Sequence, residues 1–356
     1  MAPLKGLVLS GGAGTRLRPI THTSAKQLVP VANVPILFYG LRSLRAAGVR
    51  EVGIVVGDTH AEIEAAVGDG SRFDIEVTYV RQEAPLGLAH AVLTAEPFLG
   101  DSPFVMYLGD NLLRDGITEL VDEFRRSAPD AMILLQRVPN PQAYGVAELD
   151  DGRVRRLVEK PPEPRSDLAL VGVYMFTPAI LESAKAIRPS ARGELEITDA
   201  IQHLVDRGLR VEPHLVTGWW KDTGRLEDML EANRLVMDVM EERVEGEVVR
   251  SQIEGRVVIE PGARVVDSAV RGPAIIGAGA VLDHAYVGPY TAISPGVHIR
   301  RAEVEHSIIL ESSRIEGLDA RVESSLVGRN VTIARTDAKP RAYRFMVGDS
   351  SSIGLL

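Results

Sequence analysis

Ile275, Val281, Val287, Ile293 and Ile299 recur at a six-residue step with glycine and proline between them, and Ile253, Ile259 and Val265 keep the same step upstream. A helix repeats its faces every ~3.6 residues and a strand every ~2, so neither produces this period. Hexapeptide repeats wind instead into a β-helix of triangular coils, in which each apolar residue points into the prism and each coil buries its neighbour. The stretch to Ile333 has room for roughly four coils of three hexapeptides each. The register slips near Glu303–Ile308 and again after Ile315, where bulges or loops are expected. We assign residues 246–340 to a left-handed parallel β-helix and 341–356 to a C-terminal tail.

The chain has 356 residues, enough for a second domain ahead of the repeats. Up to residue 245 apolar strand-like runs alternate with helix-like segments, the signature of an α/β fold with a Rossmann-like, mostly parallel mixed sheet. The strands are expected at Leu4–Leu9, Val52–Val56, Ile75–Val80, Phe104–Leu108 and Met132–Val138, near-continuous apolar runs suited to a sheet covered on both faces. Helices are expected at Ile36–Ala47, Ala61–Val67 and Leu88–Ala95. Tyr144 to Val216 reads as an insertion forming the second wall of a cleft, with a hairpin at Asp151–Gly152. Arg225–Glu242 reads as a long helix packed on the core.

Composition removes several functions. With no cysteine there is no disulfide, thiolate catalysis or Cys-bound zinc, and any metal must be held by oxygen or imidazole. A net charge of -9 argues against nucleic-acid binding. No apolar run is long enough for a membrane span and no leader resembles a signal peptide, so a cytoplasmic protein is expected. Against that acidic background no Asp or Glu occurs before Glu51.

The same acid-free region holds Leu9, Gly11, Gly12, Gly14, Thr15, Arg16, Arg18 and Lys26. A strand feeding a glycine loop flanked by cations suits phosphate, because glycine lets backbone N–H groups approach a ligand. The run fits neither GxGxxG nor the P-loop spacing, so a plain tight turn stays open. Asp110, after an apolar strand in FVMYLGDN, and Asp222, in GWWKDTG, suit a divalent cation, although a turn or N-cap role explains either. Glu159 and Lys160 read equally as a surface ion pair, and Glu196 and Thr198 in RGELEITD as helix initiation. Gln82 carries a donor and an acceptor edge that can read a pyrimidine.

Taken together, GGAGTRLRP with Lys26-Gln27, QEAPLGLAHA, LGDN, AYGVAELD, VEKPPEPRS, RGELEITD and WWKDTG occur in the order found in the sugar-1-phosphate nucleotidylyltransferases, which residues 4 to 240 resemble. The hexapeptide tail and WWKDTGRLEDMLEAN make the chain look like the long form tied to deoxysugar and antibiotic-sugar biosynthesis, departing from short members around Leu170, Lys221 and Arg225. The resemblance implies thymidylyl transfer from dTTP to glucose 1-phosphate, giving dTDP-glucose and pyrophosphate, with uridylyl transfer from UTP, giving UDP-glucose, as the alternative. It implies Mg²⁺ on Asp110 and Asp222, with Arg16, Lys26, Lys160 and Arg192 as catalytic cations. The nucleotide would lie against Leu9, Gly11, Gly12, Gly14, Thr15, Arg16, Gln82, Pro85 and Gly87. The sugar phosphate would lie against Leu108, Asn111, Tyr144, Gly145, Glu159, Lys160, Val171, Arg192 and Trp220. A homo-oligomer is expected. The rival for the tail is an acetyltransferase using His284, His298 or His306, each of which reads better as a solvated turn histidine. A non-catalytic relative is a further alternative, disfavoured because Asp110, Lys160 and Asp222 are all present.

Overall fold

The computed structural model describes residues 2–12, 14–18, 20–22 and 25–335, so the expectations for 336–340 and for the 341–356 tail lie outside the described residues. The chain runs β1 (Lys5–Leu9), a ribbon of β2 (Pro30–Val31) and β3 (Val34–Pro35), α1 (Ile36–Ala46), β4 (Glu51–Val56), α2 (His60–Val67), β5 (Glu76–Arg81), α3 (Leu88–Thr94), α4 (Glu96–Leu99), β6 (Phe104–Leu108), β7 (Asn111–Leu113), α5 (Thr118–Ser127) and β8 (Ala131–Arg137). There follow β9 (Gly145–Asp150), β10 (Arg153–Glu159), β11 (Leu168–Phe176), α6 (Ala179–Ala186), α7 (Ile197–Asp206), β12 (Val211–Leu215), β13 (Trp220–Asp222), α8 (Leu226–Met237) and the short strands of the repeats. Two compact units result. One holds Met1–Ala13, Ser24–Leu28 and Ile36–Asp222, and the other Gly14–Thr23, Val29–Pro35 and the chain from Thr223 on.

The first unit is a nine-stranded mixed sheet with the order β10-β9-β11-β6-β1-β4-β5, to which β8 and β12 are joined through β11. Its parallel centre, β6-β1-β4, is built from runs apolar on both faces, and Leu7, Val8, Ile54, Val105 and Met106 are fully buried. β5 differs from the continuous apolar strand expected: as the edge strand it is only half-covered. The expected insertion is corrected more substantially. β11, nine consecutive buried residues, lies inside the sheet, antiparallel to β6 and to β8, so Tyr144–Val216 supplies part of the main sheet. The hairpin within it, β9-β10, forms as expected. Where β11 runs past β8 the register jumps between Leu170 and Tyr174. Among the described residues no helix is long and apolar enough to cross a membrane.

The second unit carries three parallel sheets of six, six and five strands, the arrangement expected of a left-handed β-helix. The first strand of the β-helix is Arg243–Val244, so the helix starts earlier than the repeats suggest and exceeds four coils. Ile259 pairs with Ile276 and Ile276 with Ile293, while Val265 pairs with Leu282 and Leu282 with Ile299, so these coils take 17 residues each. The interior residues are therefore Ile276 and Leu282, not the expected Ile275 and Val281. One corner of each coil advances by five, which makes a strict six-residue reading drift off the interior. The expected slip is present: Ile293 pairs with Ile309, a coil of 16, and Ile309 with Val327, a coil of 18.

The helix expected at Arg225–Glu242 stops at Met237. Its buried Asn233 accepts from the Ala32 N–H at 2.9 Å and donates to the Tyr290 carbonyl at 2.9 Å. Asn33 donates to the Ile293 carbonyl at 2.7 Å. Asn233 thereby satisfies the buried Ala32 N–H, which left unpaired would cost about 1–3 kcal/mol, whereas the Ile293 carbonyl already accepts from the Gly277 N–H at 2.8 Å and Asn33 adds a second bond.

Candidate active site

In the first unit a cleft of about 230 Å³ opens at the carboxyl ends of β1, β5 and β6, lined by Leu9, Gly11, Gly12, Lys26, Gln82, Pro85, Gly87, Leu108 and Asp110 among others. This is where an open α/β sheet presents ligands, because strand ends and the following loops expose backbone donors and catalytic side chains together. Eight residues expected from sequence to bind nucleotide or carry charge, and Leu108 expected against the sugar phosphate, thus share one cavity. Gly14, Thr15 and Arg16 belong to the second unit, where Thr15 opens a 3-10 turn and Arg16 lies against Gly224.

Asp110 is placed by the turn that follows β6. Its Oδ2 accepts from the Lys26 ammonium in a close ion pair and its Oδ1 accepts from Asn111 Nδ2 at 2.9 Å. Burial pushes the Asp110 carboxyl up, but Lys26 and the Asn111 amide outweigh it and hold the group below the usual carboxylate range. Asp222 is brought to the same edge by pairing: β7 and β13 are antiparallel and set Asn111 opposite Asp222. A carboxylate from the turn before β7, kept ionised, and one from the end of β13 are an oxygen donor set that fits a hard divalent ion completed by water and phosphate.

Asn111 does not reach outward as expected for a sugar contact. It is 3% exposed, and its Oδ1 accepts from Trp220 Nε1 and from the Gly172 N–H at 3.2 Å. Gly172 lies at the β11 register jump, so the irregularity in that strand frees the N–H that fixes Asn111. Val171 is likewise corrected: it is fully buried.

The remaining expected sugar residues gather at the β9-β10 hairpin. Gly145 pairs with Glu159, the Lys160 N–H donates to the Tyr144 carbonyl at 3.0 Å, and the Tyr144 ring meets Trp220 edge-on with centroids 5.2 Å apart. Glu159 accepts from Thr198 Oγ1 at 2.7 Å and sits 3.4 Å from Arg192 and 3.5 Å from Lys160. Arg192 also pairs with Glu194 at 3.0 Å and Glu196 at 3.3 Å. Burial pushes the Glu196 carboxyl up. Glu196 does occupy the N-cap of α7, yet its carboxylate binds Ser190 and Arg192 and caps no helix N–H.

Gln27, Leu88 and Glu194 line the cleft without having been singled out as site residues. Gln27 is adjacent to Lys26 in sequence and its buried Oε1 has no protein partner, which a polarity pattern alone does not disclose. In the second unit His284 is exposed, as expected, and bonds Asp283 at 2.7 Å, whereas His306 is half-buried edge-on to Tyr290; both occupy left-handed turn positions. The cluster Asp267, Asp283 and His284 is closed by Arg250, which holds Asp267 at 2.6 Å.

Gly87 fixes the loop that lines the cleft beside α3. Its φ is +107°, and a Cβ there would lie 2.4 Å from the Leu195 carbonyl oxygen, so only glycine lets the loop pair with Leu195. We expect Gly87→Ala to raise the KM for the nucleoside triphosphate about tenfold by forcing this loop away, a strain of about 1–3 kcal/mol. Steady-state kinetics with circular dichroism to verify the fold would show it.

Residues 5–239 match the family described as Nucleotidyl transferase, and the chain belongs to that family. It is 55% identical to a glucose-1-phosphate thymidylyltransferase of Streptomyces antibioticus across 98% of this chain and 99% of the relative. It is 46% identical to the low-salt glycan biosynthesis nucleotidyltransferase Agl11 of Haloferax volcanii, across 99% of this chain and 100% of that protein. Among solved structures, one assigned as a glucose-1-phosphate thymidylyltransferase of Bacillus anthracis, in complex with a sucrose, shares 34% identity at a TM-score of 0.63, covering 67% of this chain and 98% of that one.

Proposed function

We infer that the chain transfers a thymidylyl group from dTTP to glucose 1-phosphate, releasing pyrophosphate and giving dTDP-glucose. The observation that carries this reading is a single cleft joining an amide base reader, Gln82, to the Lys26–Asp110 pair. End-to-end similarity to a relative bearing that activity supports the choice of substrates.

The attacking group is already an anionic phosphate oxygen, so no general base is needed. The obstacle is repulsion between two polyanions and the charge that develops at the α-phosphorus, which fixed cations relieve. In this reading Lys26 neutralises the departing pyrophosphate, and Lys160 and Arg192 hold the sugar phosphate. Glu159, Tyr144 and the Gly145 backbone orient the sugar, with Trp220 closing its pocket. Asp110 and Asp222 would hold Mg²⁺, which when bound supplies charge neutralisation at the phosphates. Chain association into a homo-oligomer belongs to the same reading, supported by the exposed Val244 and Val248 on the first β-helix coil.

A pyrophosphate-release assay across dTTP, UTP, dCTP, ATP and GTP with several sugar 1-phosphates tests the assignment. The expected result is fastest turnover with dTTP and glucose 1-phosphate. Turnover only with another triphosphate, or none with any, would remove it.

A further inference from the structure

Gln82 can read a base only if its amide faces one way, because rotation by a half-turn exchanges an acceptor for a donor. Two neighbours define that face. Gln82 Nε2 is 3.4 Å from the Gly87 carbonyl oxygen, which can only accept, and 2.9 Å from His90 Nδ1. With the amide N–H groups directed at both, His90 Nδ1 is the acceptor and the imidazole proton resides on Nε2. The Gln82 Oε1 is turned the other way, toward Gly11, where a Cβ would lie 3.5 Å from it. Gln82 and Gly11 line the cleft, whereas His90, in the first turn of α3, is not among the lining residues and contacts Gln82.

We propose that His90 is a specificity-determining positioning residue: by accepting from Gln82 it holds the amide oxygen toward the base, so that the site selects bases carrying an N–H at that edge. Thymine and uracil present a donor at N3 and cytosine presents a lone pair there. An oxygen facing the base therefore bonds the first two and repels the third. The 3.4 Å contact to Gly87 is too long to fix the amide without His90. This deepens the thymidylyl-transfer reading and rests on it.

The test is the ratio of kcat/KM for dTTP to that for dCTP, measured in the wild type, in His90→Leu and in His90→Gln. His90→Leu removes the acceptor and frees the amide to turn. The ratio is expected to fall by about tenfold, chiefly through a gain with dCTP, with melting temperature little changed. His90→Gln offers a replacement acceptor and is expected to recover much of the wild-type ratio. If both substrates lose activity in parallel in His90→Leu, leaving the ratio at its wild-type value, His90 is only structural and the proposal is wrong. If His90→Leu does not fold, an unchanged ratio in His90→Phe, which also lacks the acceptor, overturns the proposal in the same way. A wild type that shows no preference for dTTP over dCTP instead removes the underlying functional reading.

Discussion

Lys26→Ala is expected to lower turnover by about two to three powers of ten, roughly 3–4 kcal/mol in activation free energy, while the fold persists. Lys26 and Asp110 are each about 15% exposed, at 15% and 14%, so their attraction is far less screened than that of a surface pair. The lysine serves two ends in this account. It keeps Asp110 ionised in the resting protein, and it supplies positive charge where pyrophosphate departs. Alanine removes both, and leaves Asp110 with the Asn111 amide on its Oδ1. Single-turnover rates with dTTP and glucose 1-phosphate would measure the loss, and circular dichroism would verify the fold. Turnover within threefold of wild type would show that Lys26 does not act in the chemistry.

Asp110→Asn removes the charge at nearly constant shape, with a loss of about the same size expected. The amide oxygen can still accept from Asn111, so the turn after β6 should hold. Its amide nitrogen, however, faces the Lys26 ammonium donor to donor. Beyond the lower kcat, the Mg²⁺ concentration needed for half-maximal rate should rise, because one of two proposed carboxylate ligands is gone. A normal kcat with an unchanged Mg²⁺ dependence would overturn the metal assignment.

What the sequence disclosed follows from how far each signal travels along the chain. β1, β4 and β6 were readable because a central parallel strand is apolar on both faces, and the placement of Asp110 at the ligand edge came with them. β11 was equally apolar, but its neighbours β6, β8 and β9 are distant in sequence, and nothing local tells a central strand from part of an insertion. The hexapeptide step announced the β-helix, yet the five-residue corner that makes coils of 17 shifted Ile275 and Val281 off the interior. Asn111 reads as a ligand contact from the resemblance carried by LGDN. Its partners, Gly172 and Trp220, are 61 and 109 residues away, and only their approach turns it into a support for that carboxylate. His90 was hidden for the opposite reason: it is close to Gln82 in sequence but reads as one polar residue on a short helix.

In the proposed reaction the sugar phosphate attacks the α-phosphorus directly, and the protein contributes charge and position but no nucleophile. The most direct measurement uses dTTP made chiral at the α-phosphorus by a single sulfur, with the configuration of the thio-dTDP-glucose product determined. One in-line step predicts inversion. Net retention would require a thymidylyl-enzyme intermediate and would contradict the account.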